Sequence, residues 1–379
     1  MIRLSLYRSE VEWVKRLQLF ILFLATAIFF IACRLVEPIR TPSDQVTTFV
    51  PNPTVEVEVG VELEVSDRAD SMAQLLADLP PAQPDQSTFP VTVENCDRSL
   101  TFTQPPQRVI SLWQPPNELL LALGVQAQMI GLAGNYTALP PVLAKAAANI
   151  PRLGDAMRWP SREIMLAQNP DLVISEGLDG FAFDPAQGYA TVAELEQAGI
   201  PTLSTGSSCS PLQAQTRGID VVYDDLRLLA QIFGVSSRGE AIIERLQRRQ
   251  AQITQRVSAL DPVPTVFYNG GKGPLLVLTV GVWGDVVRQA GGENIFDAAV
   301  FQVGLEDFAN SATEVILMGT YPGQNPDEMA AFLTETFPDL PAVQRHRLYS
   351  IPTIETEAGI RVMDGLERIA QALHPEAFE

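Results

Sequence analysis

One stretch constrains the fold of this chain more than any other: residues 237–260, SRGEAIIERLQRRQAQITQRVSAL, which read as a single unbroken helix. Ile242, Ile243, Leu246, Ile253, Val257 and Leu260 recur mostly at helical spacing, and no proline interrupts them. Ser237 followed by Glu240 has the form of a capping box, and Asp261-Pro262 supplies the stop. At 1.5 Å per residue the stretch makes a rod of about 36 Å, longer than one small lobe needs. On both sides of it, short apolar runs of strand type alternate with helical patterns. The chain is therefore expected to be α/β, with two Rossmann-like lobes joined by this one helix as a spine.

The alternation is readable on each side. Before the spine, 108–112 and 129–134 are strands, 118–125 is a helix closed by Gly124, and 161–175 is a helix turning at Asn169-Pro170 into a strand. Residues 191–205 repeat the pattern of helix, glycine and strand, and 91–102 alternate about a polar turn as a hairpin. After the spine come strands at 265–271 and 275–281, a helix at 283–292, helix then strand at 305–319, and a closing amphipathic helix at 359–374. Strands alternating with helices through short turns imply mainly parallel sheets. One detail is shared between the halves: Glu163 precedes Asp171 by eight residues, and Glu306 precedes Glu314 by eight, each pair on a helix that runs into a buried strand. The expected boundaries are 89–236 for the N-terminal lobe, 237–260 for the spine and 261–379 for the C-terminal lobe.

The N-terminus has a different character. Residues 1–32 read as an export signal, with Arg3, Arg8, Lys15 and Arg16 before the apolar run 17–32. The run ends at Ile31-Ala32-Cys33, similar to the lipobox of bacterial lipoproteins, in which the cysteine carries the lipid. An uncleaved transmembrane anchor is the alternative, and both readings put the rest of the chain outside the cytoplasm. Residues 33–88, rich in proline and acidic side chains, read as a flexible tether with a short helix at 70–79.

Composition excludes several classes of function. A net charge of −19 leaves nothing to neutralise phosphates in number, so nucleic acid is not a partner. The cysteines, Cys33, Cys96 and Cys209, lie far apart, and only His346 and His374 complete the soft-ligand set, which argues against a protein-ligated metal. No GxSxG elbow, P-loop or HExxH is present, and no catalytic residues are assigned. With Cys33 accounted for, Cys96 and Cys209 remain as an even pair, compatible with one disulfide in an exported protein.

A binding reading fares better than an enzymatic one. In open α/β sheets ligands sit beyond the carboxyl ends of the strands. Those ends carry Trp113, Tyr136, Tyr268 and Trp283, while Arg158 and Trp159 precede the helix at 161 in a polar loop. Lys272 and Arg361 are the C-terminal lobe's candidates for pairing an anionic ligand. A cleft between two lobes lined in this way suits a large ligand with apolar and oxygen-rich surface.

The run of motifs RVISLWQPPNELLLALGV (108–125), SREIMLAQNPDLVIS (161–175), ATVAELEQAGIPTLS (190–204), DVVYDDLRLLAQIFGV (220–235), VVRQAGGENIF (286–296) and GIRVMDGLERIAQALHPE (359–376) resembles the periplasmic binding proteins of ABC importers for ferric siderophores and vitamin B12. The resemblance covers about three quarters of the chain. It implies two lobes on one rigid helix, a ligand cleft between them, a lipid anchor at Cys33, and no cofactor beyond the iron chelate carried as ligand. It also implies that Glu163 and Glu306, one per lobe, dock onto the permease of a permease–ATPase complex, and it supports a Cys96–Cys209 disulfide. The ligand expected first is a ferric siderophore, then a corrinoid, then haem. The protein is expected to be a monomer held at the outer face of the cytoplasmic membrane. An extracytoplasmic enzyme on a chelatase-like scaffold and a binding protein serving signalling remain as alternatives.

Overall fold

The computed structural model describes residues 68–85, 88–179, 181–206, 208–209, 211–296 and 301–379. The expected export signal, Cys33 and most of the tether lie outside the described residues.

Two four-stranded parallel sheets carry the fold. The N-lobe sheet runs Met129–Leu132, Val109–Ser111, Leu172–Glu176, Thr202–Thr205 from edge to edge. The C-lobe sheet runs Gly292–Asn294, Val263–Tyr268, Val315–Thr320, Leu348–Pro352. Counted along the chain, both orders are second, first, third, fourth. Each lobe therefore reverses direction between its first and third strands. The two central strands are buried along most of their length, as expected when helices cover both faces. Leu172–Glu176 and Val315–Thr320 are each preceded by a short helix, Arg162–Ala167 and Leu305–Ala309, so Glu163 and Glu306 occupy equivalent places, both exposed in the first helical turn.

The spine is a helix of 22 residues, Ser236–Val257, burying Ile242, Ile243, Leu246, Ile253 and Val257. It differs from expectation at its start. The cap is Val235, with no side-chain hydrogen bond, because the helix begins one residue early; Glu240 accepts from Arg227 Nε at 3.1 Å instead of closing a capping box. The spine is bonded to both lobes. Arg238 Nε donates to the Ala122 carbonyl at 3.0 Å on the N-lobe side. Arg249 reaches Asp364 and Glu367 of the closing helix Val362–Leu373, each at 2.6 Å. A single apolar core continues from the N-lobe through the spine residues to the C-lobe, and each lobe holds a further core of its own.

Folding also begins upstream of Phe89. The helix Arg68–Leu76 seats Met72 in the core and packs on the spine. Arg245 Nη1 donates to the Gln74 and Leu75 carbonyls at 3.2 and 2.9 Å, and Arg249 to Ser71 Oγ at 2.9 Å. A guanidinium at the end of a helix satisfies carbonyls that have no partner within it, which makes this part of the tether a component of the domain.

The hairpin of Val91–Asn95 and Arg98–Phe102 lies against the edge strand Thr202–Thr205. Asn95 uses both ends of its amide on Ser204, donating to its carbonyl at 2.9 Å and accepting from its N–H at 2.8 Å. A disulfide joins Cys96, at the hairpin turn, to Cys209, with their Cα atoms 5.0 Å apart.

Candidate ligand-binding site

Beyond the carboxyl ends of both sheets lies a cavity of about 370 Å³ with walls from both lobes. The N-lobe supplies Leu112 and Trp113 after its first strand, Ser175, Glu176, Gly177 and Asp179 from the end of its third, and Gly206 and Ser208 after its fourth. The first and third are the strands between which the sheet reverses direction, and the loops leaving them open a crevice. The C-lobe supplies Val282 and Trp283, Tyr321 after its third strand, and Thr356, Glu357 and Ala358 after its fourth.

The aromatic wall is built from the sequence Trp113-Gln114-Pro115-Pro116-Asn117. Gln114 and Asn117 are fully buried and act as clamps on the loop after Met129–Leu132. Gln114 Oε1 accepts from the Tyr136 and Thr137 N–H groups at 2.9 and 2.8 Å, and Asn117 Nδ2 donates to the Ala133 carbonyl at 2.9 Å. Gly134, at φ +76°, makes the turn between them, and a Cβ there would press on the Leu112 carbonyl. Trp159 Nε1 donates to that same carbonyl at 2.5 Å. The outcome is a row of rings: Tyr189 edge-on to Trp159 at 5.7 Å, Trp159 to Trp113 at 6.1 Å, Trp113 to Tyr136 at 5.3 Å, and Tyr136 to Tyr321 of the other lobe at 5.8 Å.

Two kinds of carboxyl group lie where the lobes meet. Glu118 is paired: Arg361 Nε donates to its Oε2 at 2.9 Å and Nη2 to its Oε1 at 2.5 Å, while Nη2 also reaches the Ala138 carbonyl at 2.8 Å. Glu176 and Glu357 have no such partner. Burial lifts the Glu176 pKa to about 7, with Ser208 and Trp113 offsetting part of the effect. Burial raises Glu357 well above the usual range, and the charge of Glu176 adds to this. Below them Asp225 accepts from the Gly206 N–H at 2.7 Å, its pKa pushed to about 8 by burial. One oxygen of Glu176, one of Glu357 and Trp283 Nε1 are enclosed without a hydrogen bond among the described residues, and the Tyr136 hydroxyl faces Glu357. The segment carrying Glu357 is held by Arg368, which grips Glu355 through both oxygens at 2.8 and 2.9 Å.

Of the residues expected at the site, the structure brings Trp113, Trp159 and Trp283 to the cavity and places Tyr136 directly behind it. It does not bring the others there. Tyr268 faces the C-lobe core, its hydroxyl donating to the Gly271 carbonyl at 2.8 Å; its strand is covered on both faces, with Phe267 buried on the other side. Lys272 is exposed over the Phe332 ring at 5.7 Å, and Arg158 is exposed beside Trp159. Arg361 is taken up by Glu118. Sequence reasoning missed Tyr321, Glu176 and Glu357. The available signal was a glutamate or tyrosine ending a buried strand, in LVISEG and ILMGTY.

The family model described as periplasmic binding protein matches residues 109–354. An uncharacterized ABC transporter substrate-binding lipoprotein of Bacillus subtilis, YvrC, is 22% identical over 298 residues, covering 77% of this chain and 88% of that protein. Among solved structures, the ABC-type Fe3+-hydroxamate transport system of Saccharomonospora viridis is 26% identical with a TM-score of 0.62, over 75% of this chain and 99% of that one. A periplasmic binding protein from Veillonella parvula shares the fold at a TM-score of 0.67 and 18% identity, over 75% and 97%. The periplasmic vitamin B12 binding protein BtuF of Vibrio cholerae does so at 0.56 and 22%, over 73% and 99%.

Proposed function

Because the chain belongs to the periplasmic binding protein family, we propose that it is a lipid-anchored extracytoplasmic receptor that captures a ferric siderophore and hands it to the permease of an ABC importer. The observation that carries this reading is the cavity between the lobes, walled by Trp113, Trp159, Trp283 and Tyr321. Its volume is near the lower end of the range for small-molecule pockets, which suits a compact chelate better than the much larger corrinoid ring. The likeness to the Fe3+-hydroxamate transport protein favours the same choice. In this reading Cys33 carries the lipid, and Glu163 and Glu306 meet the permease from equivalent places on the two lobes.

Trp113, Trp159 and Trp283 are three of the four tryptophans in the chain, so their emission reports on the cavity. Titration with ferric trihydroxamates, ferric catecholates, cobalamin and haemin should quench that emission at micromolar concentration for the trihydroxamates. Quenching by cobalamin or haemin alone would replace the siderophore with that ligand, and no response to any of the four would remove the ligand class.

A further inference from the structure

Glu176 and Glu357 enter one cavity from opposite lobes, and among the described residues that line it there is no lysine or arginine. Asp179 adds a third acid to the lining. Arg361, four residues after Glu357, is spent on Glu118 and the Ala138 carbonyl. Glu357 is 7% exposed, and one of its oxygens and one of Glu176's have no hydrogen bond among the described residues. Around them stand Trp113, Trp159, Trp283 and Tyr321. Carboxylates set among aromatic faces form an environment that favours a cation and repels an anion.

We propose that the solute carries a positive charge that seats between Glu176 and Glu357, so that the cavity selects cationic solutes over neutral ones and excludes anionic ones. This rests on the solute-receptor reading and adds the charge of the solute to it. In the empty cavity the two carboxyls hold protons at low pH. A cation takes over from those protons, so its affinity rises with pH. The groups facing the pair are Ser208, Trp113 and Asp225 around Glu176, and Tyr136, Tyr321 and Glu118 toward Glu357, with Arg361 neutralising Glu118. None of them supplies an uncommitted positive charge.

The test uses one linear ferric trihydroxamate in three forms: with a pendant primary ammonium, N-acetylated, and N-succinylated. Calorimetric titration at pH 8 should rank them ammonium, acetyl, succinyl, with about tenfold in affinity per step, and the steps should shrink at pH 5.5. The double variant Glu176→Gln/Glu357→Gln should still bind the acetyl form and lose the ranking, with thermal melting confirming that it folds. Equal affinity for all three forms, or a ranking unchanged in the double variant, overturns the charge proposal and leaves the receptor reading standing. Binding of none of the three overturns the ferric-chelate reading. The charge proposal is then decided by melting at pH 8 in tetraethylammonium bromide against sodium bromide. Stabilisation by the organic cation that disappears in the double variant upholds it, and no stabilisation overturns it.

Discussion

The lobes meet through glutamates in two places, and the two are built in opposite ways. At Glu118 the C-lobe answers with Arg361, and the pair is bidentate and buried. At Glu176 the C-lobe answers with a second acid, Glu357, and among the described residues no cation lining the cavity neutralises either. Burying a charge without a partner is expensive, so the first contact serves to join the lobes and the second keeps them ready for something else. The same residue type thus acts as a fastener in one place and, in the reading proposed above, as a solute contact in the other, according to what faces it.

The largest effect should come from breaking the fastener. Arg361→Ala leaves Glu118 enclosed with no counter-charge and should lower the unfolding free energy by about 3–5 kcal/mol, measured by denaturant titration. Arg361→Met combined with Glu118→Gln should recover part of that loss, because the stranded charge is removed as well. Next in size is the Cys96→Ser/Cys209→Ser pair, expected to cost about 2–4 kcal/mol, with weaker ligand binding because Ser208 and Gly206 border the cavity next to the lost bond.

The acid pair should show an effect of opposite sign. A carboxyl whose pKa rises on folding holds its proton more tightly in the folded state. Its contribution to stability is complete below the unfolded value of 4.5 and is lost as pH climbs through the folded value, about 7 for Glu176. Asp225, at about 8, extends the same loss to higher pH. The empty protein should therefore melt a few degrees lower at pH 8 than at pH 5, and Glu176→Gln should remove part of that difference. A melting temperature that rises over this range would mean that the pair is neutralised after all. The smallest effect on the isolated protein is expected at the two exposed positions. Glu163→Ala and Glu306→Ala should each leave the melting temperature and the ligand affinity nearly unchanged. Uptake by cells or vesicles carrying the permease should fall for both.

What the sequence made legible was whatever is encoded locally. The spine announces itself through Ile242, Ile243, Leu246, Ile253 and Val257, and the strands through short apolar runs between turns. Trp113 and Trp159 could be placed near the cavity because they adjoin strand ends and loops. The contacts between lobes were not legible, since they join residues far apart in the chain. Glu176 and Glu357 are separated by 181 positions, and nothing near either one signals the other. Arg361 was read as a candidate for pairing an anionic ligand, and its partner, Glu118, lies 243 positions away in the chain. Tyr268 was misplaced for a simpler reason: its strand is covered on both faces to its last residue, so the ring ends in the core and not in the cleft.

The Cys96–Cys209 bond has a consequence in time as well as in space. Disulfides form in oxidising compartments and are rare where thiols are kept reduced. A chain still in the compartment of its synthesis therefore lacks the tie between the hairpin and the cavity rim. In the proposed reading, the rim of the cavity is completed only after the chain has crossed to an oxidising space. A solute inside the cell would then meet a binder without that tie, and one outside would meet a binder that has it.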